Sequence, residues 1–324
     1  MVDFSAKSIK KWSLLGPRPV FGLTLTELAR SIDNLVVVTA DVSTSAGLDR
    51  FRKSHPDKYV DVGIAEQNMM GISAGLADNG FIVFTTSFAP FQTLRCLEQI
   101  KVNLSYTNTK VIMVGLASGL VNGPLGHTHC CIEDIGVLRS IPNLTILSPS
   151  DGLSVVKTII QAIEIPGPVY IRLTGGPSCP ILYENDFAFD VKHIHTLTEG
   201  FDVIVLGTGV ILNNCILAAE ILSTNGISTS VRDVTKIKPI SLNEIVPLFD
   251  ESRLIVTVEE HNTLGGLGSA VAEVASSIKS HTPHILLGVE DSYLKPGSYD
   301  FMLSQCGLSP EQIAEKIKTV FYGL

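Results

Sequence analysis

Short apolar runs alternate along the chain with longer segments that mix apolar and polar residues. Runs of this kind have the length of β-strands and are apolar on almost every position, so neither face of such a strand suits water. Strands buried on both faces are typical of a parallel sheet that helices cover on both sides. The pattern therefore predicts an α/β fold with mainly parallel sheets. The predicted strands include residues 35–39, 81–84, 111–115, 145–147 and 169–173, with helices at 25–32 and from about Glu66 onward.

The alternation stops at residues 175–180, which read GGPSCP, and resumes after about residue 198. The stretch between is polar and mixed, as in a connection between domains. A second βα pattern then follows, with predicted strands in 202–209 and 254–260 and a helix at 213–225. We predict two consecutive three-layer α/β domains, each a mainly parallel sheet flanked by helices. Their bounds are residues 1–185 and 199–324, joined by a linker at 186–198.

The turn after the first strand of the second domain contains Gly207, Thr208 and Gly209. It resembles a fragment of a dinucleotide-binding fingerprint, but the third glycine of that motif is missing. A tight turn from strand to helix is the favoured interpretation.

Charge and hydropathy narrow the classes of function. The chain of 324 residues has a net charge of −8 and no basic run, which excludes the electrostatic footprint of a nucleic-acid-binding protein. No apolar run reaches the roughly 20 residues of a membrane span, and residues 1–11 lack the apolar segment of a secretory signal. We expect a cytoplasmic protein that binds neither nucleic acid nor membrane.

Cysteine spacing and hydrophobic content add two expectations. The six cysteines are scattered, and the adjacent pair Cys130 and Cys131 is not spaced for zinc, so we expect reduced thiols and no metal site formed by this chain. The mean hydropathy of +0.32, with 17% charged residues, is high for a monomer. Part of the surface is therefore expected to lie in a subunit interface.

Glu66 is the acid that most invites a functional question. It stands where an apolar helix is predicted to begin, before Met69, Met70 and Ile72. A carboxyl group buried there must be paired, hydrogen-bonded or protonated. The alternative is a first-turn acid that only complements the helix dipole.

Three further motifs follow Glu66 in order. Residues 84–91 read FTTSFAPF and contain Phe88 and Phe91; residues 123–129 read GPLGHTH and contain His127 and His129. Residues 258–273 read VEEHNTLGGLGSAVAE and contain His261. With the GIAEQN run at 63–68, these segments resemble, over nearly the whole chain, the pyrimidine-binding and C-terminal domains of transketolases.

The resemblance implies thiamine diphosphate chemistry, in which the cofactor supplies the carbon nucleophile. Glu66 would hydrogen-bond a ring nitrogen of the aminopyrimidine and so activate the cofactor, and Phe88 and Phe91 would hold the flat ring. His129 would face the substrate and stabilise charge or relay a proton.

Three other residues are weaker candidates for substrate contact. The family has no fixed histidine at the position of His127, and a surface-loop role is the competing interpretation. His261 lies in a strongly matching segment that serves either the substrate or domain packing. Arg172, in the strand at 169–173, is a candidate for binding an anionic group of the substrate.

The other half of a transketolase has no counterpart in this chain. Family members bind the diphosphate and its Mg²⁺ through an N-terminal domain with a Gly-Asp-Gly…Asn type motif, and we find no such motif here. The resemblance therefore implies the C-terminal subunit of a split transketolase. It would be active only with an N-terminal subunit that carries the diphosphate and metal site, and the pair would form a heterotetramer.

Three departures from the family concern the substrate. Leu125 stands where many members have an acid that contacts a sugar hydroxyl. Gly175 and Gly176 replace an arginine that would bind a terminal phosphate. The segment at Val20 to Gly22 lacks another phosphate-binding arginine expected near the start. We therefore expect an unusual or non-phosphorylated sugar, with Arg172 or a residue of the partner replacing the lost arginine.

Three alternatives share part of this pattern. The β subunit of a 2-oxo acid dehydrogenase has the same two-domain plan, and 1-deoxyxylulose-phosphate synthase is a related enzyme that is normally one long chain. A partner protein without catalytic activity would be expected to lose Glu66 or the aromatic pair.

Overall fold

The computed structural model describes residues 2–279 and 282–324, which form two sheets with helices on both faces of each. This arrangement confirms the predicted α/β fold with mainly parallel strands. The strands are β1 Leu35–Thr39, β2 Tyr59–Asp61, β3 Ile82–Phe88, β4 Val111–Ser118, β5 Thr145–Leu147, β6 Val169–Thr174, β7 His195–Thr198, β8 Val203–Gly207, β9 Thr229–Asp233, β10 Lys236–Lys238, β11 Leu254–Asn262 and β12 His284–Val289.

Thirteen α-helices lie within the described residues. They are α1 Ala6–Leu15, α2 Pro17–Leu28, α3 Asp49–Ser54, α4 Glu66–Asp78, α5 Ala89–Gln92, α6 Leu97–Gln99, α7 Asp134–Arg139, α8 Gly152–Ala162, α9 Leu212–Thr224, α10 Leu242–Glu251, α11 Leu267–Ser276, α12 Tyr299–Gln305 and α13 Pro310–Phe321. Short 3₁₀ turns lie at Pro56–Lys58 and Gly123–Leu125, and a π-helical turn follows α6 at Ile100–Ser105.

The first sheet has the strand order β10-β5-β6-β4-β3-β1-β2 and is parallel except for β10. Its central strands β1, β4 and β6 are buried along their whole length. Helices α1, α2, α3 and α8 pack on one face, and α4 and α7 pack on the other. Burial on both faces explains why these strands read as uninterrupted apolar runs.

The second sheet has the order β12-β11-β8-β9-β7 and is parallel except for β7. Helices α9, α12 and α13 cover one face, and α10 and α11 cover the other. The Gly207–Gly209 segment makes the predicted tight turn between β8 and α9. Gly209 has a φ of 76°, and a Cβ there would lie 2.6 Å from the Thr174 hydroxyl oxygen.

Two strands depart from the sequence-based expectation. Strand β7 lies within the stretch predicted as linker, because a half-exposed edge strand with mixed side chains has a polar pattern. Strand β10 follows β9 in the chain, yet it pairs with β5 of the first sheet, and its Ile237 is buried in that sheet's core. The second half of the chain thus contributes an edge strand to the first sheet.

Candidate active site

The predicted cofactor residues lie at or beyond the carboxyl ends of strands in the first sheet. Phe88 is the last residue of β3, and Glu66 is the first residue of α4, five residues after β2 ends. His129 follows β4 on a loop that is closed by paired hydrogen bonds between Gly119 and Cys131. Because parallel strands end at the same edge of a sheet, the fold gathers these segments at the edge where ligands of α/β proteins bind.

Glu66 is almost fully buried, with 4% of its surface exposed. Its Oε2 accepts a hydrogen bond from Arg95 Nη1 at 2.7 Å. No described residue donates a hydrogen bond to Oε1. An acid that only complemented the helix dipole would stand in solvent, so burial disfavours that alternative.

Arg95 lies outside the motifs of the sequence, four residues after Phe91. Its guanidinium lies over the Phe91 ring, 4.2 Å from the ring centroid, while it pairs with Glu66. The spacing of four residues was the available signal, since such residues meet on one side of a helical turn. Arg95 therefore links the Glu66 carboxylate to the Phe91 ring.

Phe88, Phe91 and His129 form a cluster of three rings. The centroid distances are 6.5 Å between Phe88 and Phe91, 5.4 Å between Phe91 and His129, and 6.2 Å between Phe88 and His129. All three pairs meet edge to face, which is a favourable geometry for aromatic rings. The Nδ1 atom of His129 lies 3.0 Å from the Thr128 hydroxyl, which sets the orientation of the imidazole.

Two residues just past or near the ends of strands have strained backbones. Asp41 follows β1 with a φ of 56°, and Ala117 near the end of β4 has a φ of 52°. Non-glycine residues in this region cost about 1–3 kcal/mol each, and such strain concentrates at functional sites. Both lie at the same edge of the sheet as Phe88.

His127 is tied to the second half of the chain. Its Nε2 accepts a hydrogen bond from the Leu294 amide at 2.8 Å, and its ring packs on Tyr293 with centroids 4.8 Å apart. Nε2 must therefore be the unprotonated nitrogen. Contact of His127 with substrate stays a prediction, and its Nε2 is already used inside the protein.

Arg172 has no exposed surface and cannot reach a sugar phosphate in solvent. Its Nε donates to the two Asp134 carboxylate oxygens at 3.1 and 2.9 Å, and its Nη2 donates to the Glu260 carbonyl at 2.7 Å. Burial by itself would lower the pKa of Arg172, but the Asp134 carboxylate holds that pKa above the ordinary value of an arginine. The expectation that Arg172 replaces the lost phosphate ligand is thereby corrected.

His261 is also fully buried. Its Nδ1 donates to the Asn262 carbonyl at 2.7 Å, and its Nε2 accepts from the Gly136 amide at 3.1 Å. Both ring nitrogens are used inside the protein, so the structure supports the packing interpretation and corrects the assignment to the substrate. Just before it, Glu259 caps α11 by accepting hydrogen bonds from the Leu267 and Gly268 amides.

Arg18 is a candidate that the motifs of the sequence did not include. It lies half-buried in the first turn of α2, at the positive end of the helix dipole, and burial lowers its pKa. Its side chain makes no hydrogen bond or ion pair with any described residue. The start of α2 abuts the loop after β6, since a Cβ on Gly16 would lie 2.7 Å from the Gly176 carbonyl oxygen. The signal in the sequence was a cation between two prolines at a helix start.

Comparison with known families agrees with this geometry. Residues 17–176 match the transketolase pyrimidine-binding domain, and residues 192–313 match the transketolase C-terminal domain. The chain belongs to the transketolase family. Both matched regions contain candidate residues: Glu66, Phe88, Phe91 and His129 lie in the first, and His261 lies in the second.

Relatives of similar length are named as a C-terminal section or as a subunit of a transketolase. The putative transketolase C-terminal section of Methanocaldococcus jannaschii is 37% identical over 304 residues, covering 93% of this chain and 95% of the relative. One subunit of the apulose-4-phosphate transketolase of Phocaeicola vulgatus is 36% identical, with 94% and 96% covered. The 6-deoxy-6-sulfo-D-fructose transketolase subunit SqwH of a Clostridium species is 35% identical, with 89% of each chain covered.

One similar solved structure is described as a split gene transketolase, inactive beta4 tetramer. Its TM-score is 0.85 and its sequence identity is 32%. The match covers 95% of this transketolase chain and 98% of that one. Single-chain relatives are matched over about half their length. The 1-deoxy-D-xylulose-5-phosphate synthase of Microcystis aeruginosa is 33% identical over 306 residues, which cover 48% of that enzyme. The relatives of about the same length as this chain are named as transketolases. Their names favour a transketolase over the β subunit of a 2-oxo acid dehydrogenase.

Proposed function

We propose that this chain is the C-terminal subunit of a split transketolase, which transfers a two-carbon ketol unit from a ketose donor to an aldose acceptor. The observation that carries the proposal is the buried Glu66 carboxyl, whose Oε2 pairs with Arg95, the residue that also covers the Phe91 ring, while no described residue donates a hydrogen bond to its Oε1. A carboxyl oxygen and a flat aromatic surface are the groups that an aminopyrimidine ring needs.

Thiamine diphosphate, when bound, supplies the carbon nucleophile of the reaction. Glu66 Oε1 would hydrogen-bond a ring nitrogen of the pyrimidine and exchange a proton there. Phe88 and Phe91 would hold the ring and exclude water. The half-buried imidazole of His129, in edge contact with both rings, would stabilise oxygen charge on the substrate.

The diphosphate and Mg²⁺ are assigned to a partner subunit. Within the described ranges, no three His, Cys, Asp or Glu side chains come together as metal ligands. Three large apolar residues of the site segments are exposed: Ile64 by 78%, Leu94 by 39% and Leu125 by 58%. Apolar residues this open to solvent beside a buried carboxyl fit a surface that another subunit covers. The names of the relatives support a subunit pair, and we propose a heterotetramer.

The compartment is proposed to be the cytoplasm. All six cysteines are free and buried, which suits a reducing environment. None of the helices within the described residues has both the length and the apolar character needed to cross a bilayer.

Co-expression with a diphosphate-binding N-terminal subunit from the same genome should yield ketol transfer that needs both chains, thiamine diphosphate and Mg²⁺. The physical reason is that this chain carries only the residues proposed to bind the pyrimidine, so the residues that bind the diphosphate must come from the other chain. Transfer is measured with xylulose 5-phosphate and with unphosphorylated ketoses as donors. Pyruvate with glyceraldehyde 3-phosphate tests the synthase alternative in the same assay. Full turnover by either chain alone, or none by the pair with any donor, would contradict the proposal.

The substrate is proposed to be an unusual sugar with an anionic group that Arg18 recognises. Gly175 and Gly176 place no cationic side chain at the start of the loop after β6, whereas Arg18 lies in the first turn of α2, two residues after Gly16, which packs against Gly176. The named substrates of two relatives, apulose 4-phosphate and 6-deoxy-6-sulfofructose, both carry an anion on an uncommon sugar. A half-buried guanidinium without a carboxylate partner suits such an anion.

Substitution Arg18→Met should raise KM for an anionic donor about tenfold to a hundredfold, since a hydrogen bond to a charged group contributes about 1.5–3 kcal/mol. Steady-state kinetics of the assembled enzyme provide the measurement. The KM for an unphosphorylated ketose should change little. Arg30→Met is the matched control, because Arg30 is exposed and, among the described residues, forms an ion pair with Glu27 alone. An unchanged KM for every anionic donor would remove Arg18 from substrate recognition.

A further inference from the structure

The loop from Gly119 to Cys131, here named the histidine loop, carries His129. It leaves the first sheet at the end of β4 and is closed at its base by two hydrogen bonds between Gly119 and Cys131, of 2.8 and 3.1 Å. The far side of the loop, residues 123–128, is held in part by hydrogen bonds within the loop, among them the one that the His129 amide donates to the Gly126 carbonyl at 3.0 Å.

That far side is also anchored to the second half of the chain. The Leu294 amide donates to His127 Nε2 at 2.8 Å, and the Gly297 amide donates to the Gly123 carbonyl at 3.2 Å. Both donors belong to the segment between β12 and α12. Gly123 is in such close contact that a Cβ there would lie 2.5 Å from the Met302 side chain and 2.6 Å from the Gly297 carbonyl.

The base of the histidine loop is attached to β11. The Leu120 amide donates to Glu260 Oε2 at 3.3 Å, and Glu260 Oε1 accepts from the Tyr299 hydroxyl of α12 at 2.6 Å. The Asn262 amide donates to the carbonyl of Ile132, the residue after the loop, at 2.8 Å. Glu260 is buried, so its two hydrogen bonds join the loop and α12 in a place that water does not reach.

Apolar packing also joins the histidine loop to the second half of the chain. Leu120, Cys130 and Ile132 are buried in the apolar core formed by β8, β11, α9 and α13, not in the core of the first sheet. The histidine loop is therefore part of the second half of the chain in its packing, although it is part of the first in sequence.

We propose that the second sheet and its helices position His129, and that His127 and Glu260 are positioning residues for this purpose. This inference rests on the role proposed above for His129. His127 holds the loop two residues before His129, so its ring fixes the approach of the imidazole to Phe88 and Phe91. The C-terminal half thereby acts in catalysis through the loop that it anchors.

Two substitutions at His127 separate anchoring from substrate contact. In His127→Phe the ring still packs on Tyr293, but the acceptor for the Leu294 amide is lost. In His127→Gln the side-chain amide oxygen lies about as far from the backbone as Nε2 does, so it can accept the hydrogen bond from the Leu294 amide. With the partner subunit present, His127→Phe should lower kcat about five- to tenfold at nearly unchanged Kd for thiamine diphosphate, since one lost hydrogen bond is worth about 0.5–1.5 kcal/mol. His127→Gln should recover to within about twofold of the wild type.

Amide hydrogen exchange of the chain itself gives a readout that needs no activity. In His127→Phe the Leu294 amide and the histidine loop should exchange faster than in the wild type, and in His127→Gln at close to the wild-type rate. Wild-type exchange or wild-type kcat in His127→Phe would overturn the inference. Equal loss of kcat in both variants would also overturn it, because His127 would then touch the substrate. Absence of transfer by the wild-type pair would count against the proposed function, whereas the exchange rates would still decide whether His127 anchors the loop.

Discussion

Glu66→Gln should lower kcat by about 10²- to 10⁴-fold, the usual contribution of a group that transfers a proton in the transition state. The amide keeps the size of the side chain and one acceptor oxygen, but it cannot give and take a proton at the pyrimidine nitrogen. Single-turnover and steady-state kinetics of the assembled enzyme measure the effect. Subunit assembly should persist, because the change removes no apolar contact.

Stability should change little in the same variant. The Arg95 side chain is 42% exposed, so it can return to water when its ion pair with Glu66 is lost, and the amide oxygen of the variant can still accept its hydrogen bond. Glu98→Gln is the matched control, an exposed acid of the same segment as Arg95. A kcat for Glu66→Gln that equals that of Glu98→Gln would remove Glu66 from the mechanism.

Asp134→Ala should lower the free energy of unfolding by about 3–5 kcal/mol, because it leaves the Arg172 guanidinium charged and unpaired in the interior. Asp134 and Arg172 both have no exposed surface, and Asp134 also accepts from the Tyr170 hydroxyl at 2.8 Å. The Nη1 atom of Arg172 already makes no hydrogen bond with a described residue, so the site has no spare acceptor. Urea unfolding followed by circular dichroism measures the loss.

Two further variants make this result specific. Glu273→Ala breaks the surface pair with Arg139, in which the glutamate is 66% exposed, and should cost about 0–1 kcal/mol. The double variant Asp134→Leu with Arg172→Met should recover a large part of the loss, since apolar residues often replace a buried pair at little cost. A loss in Asp134→Ala no greater than in Glu273→Ala would contradict the buried charge.

The apolar runs of the sequence predicted most of the first sheet. Strand β1 and strand β5 have the predicted bounds, and β3, β4 and β6 begin or end within a few residues of prediction. Helix α2 was less well placed, because Pro17 starts it earlier than the apolar spacing at 25–32 indicates. Central strands are predictable because burial on both faces admits almost only apolar residues.

The candidate site could likewise be predicted from the sequence only in part. The order of the motifs pointed to Glu66, Phe88, Phe91 and His129, and the fold places the three rings in one cluster and Glu66 beside it through Arg95. Their catalytic roles remain predictions. Charge and residue type did not distinguish ligand contact from internal bonding at Arg172, His127 and His261, because the same groups that bind ligands also satisfy hydrogen bonds inside the protein. Whether a polar group faces a ligand or the interior depends on contacts between residues that lie far apart in the chain.

By itself, the sequence determined the α/β fold, the acid at the start of α4 and the family. Burial patterns and the order of motifs can be read from neighbouring residues, without knowing which distant segments meet. Only the tertiary structure decided which polar side chains remain available. It paired Arg172 with Asp134, turned His261 inward, added β10 to the first sheet, and attached the histidine loop to the second. It also left Arg18 without a partner among the described residues. A buried polar group must find its partner wherever the fold brings one, and no local pattern records where that is.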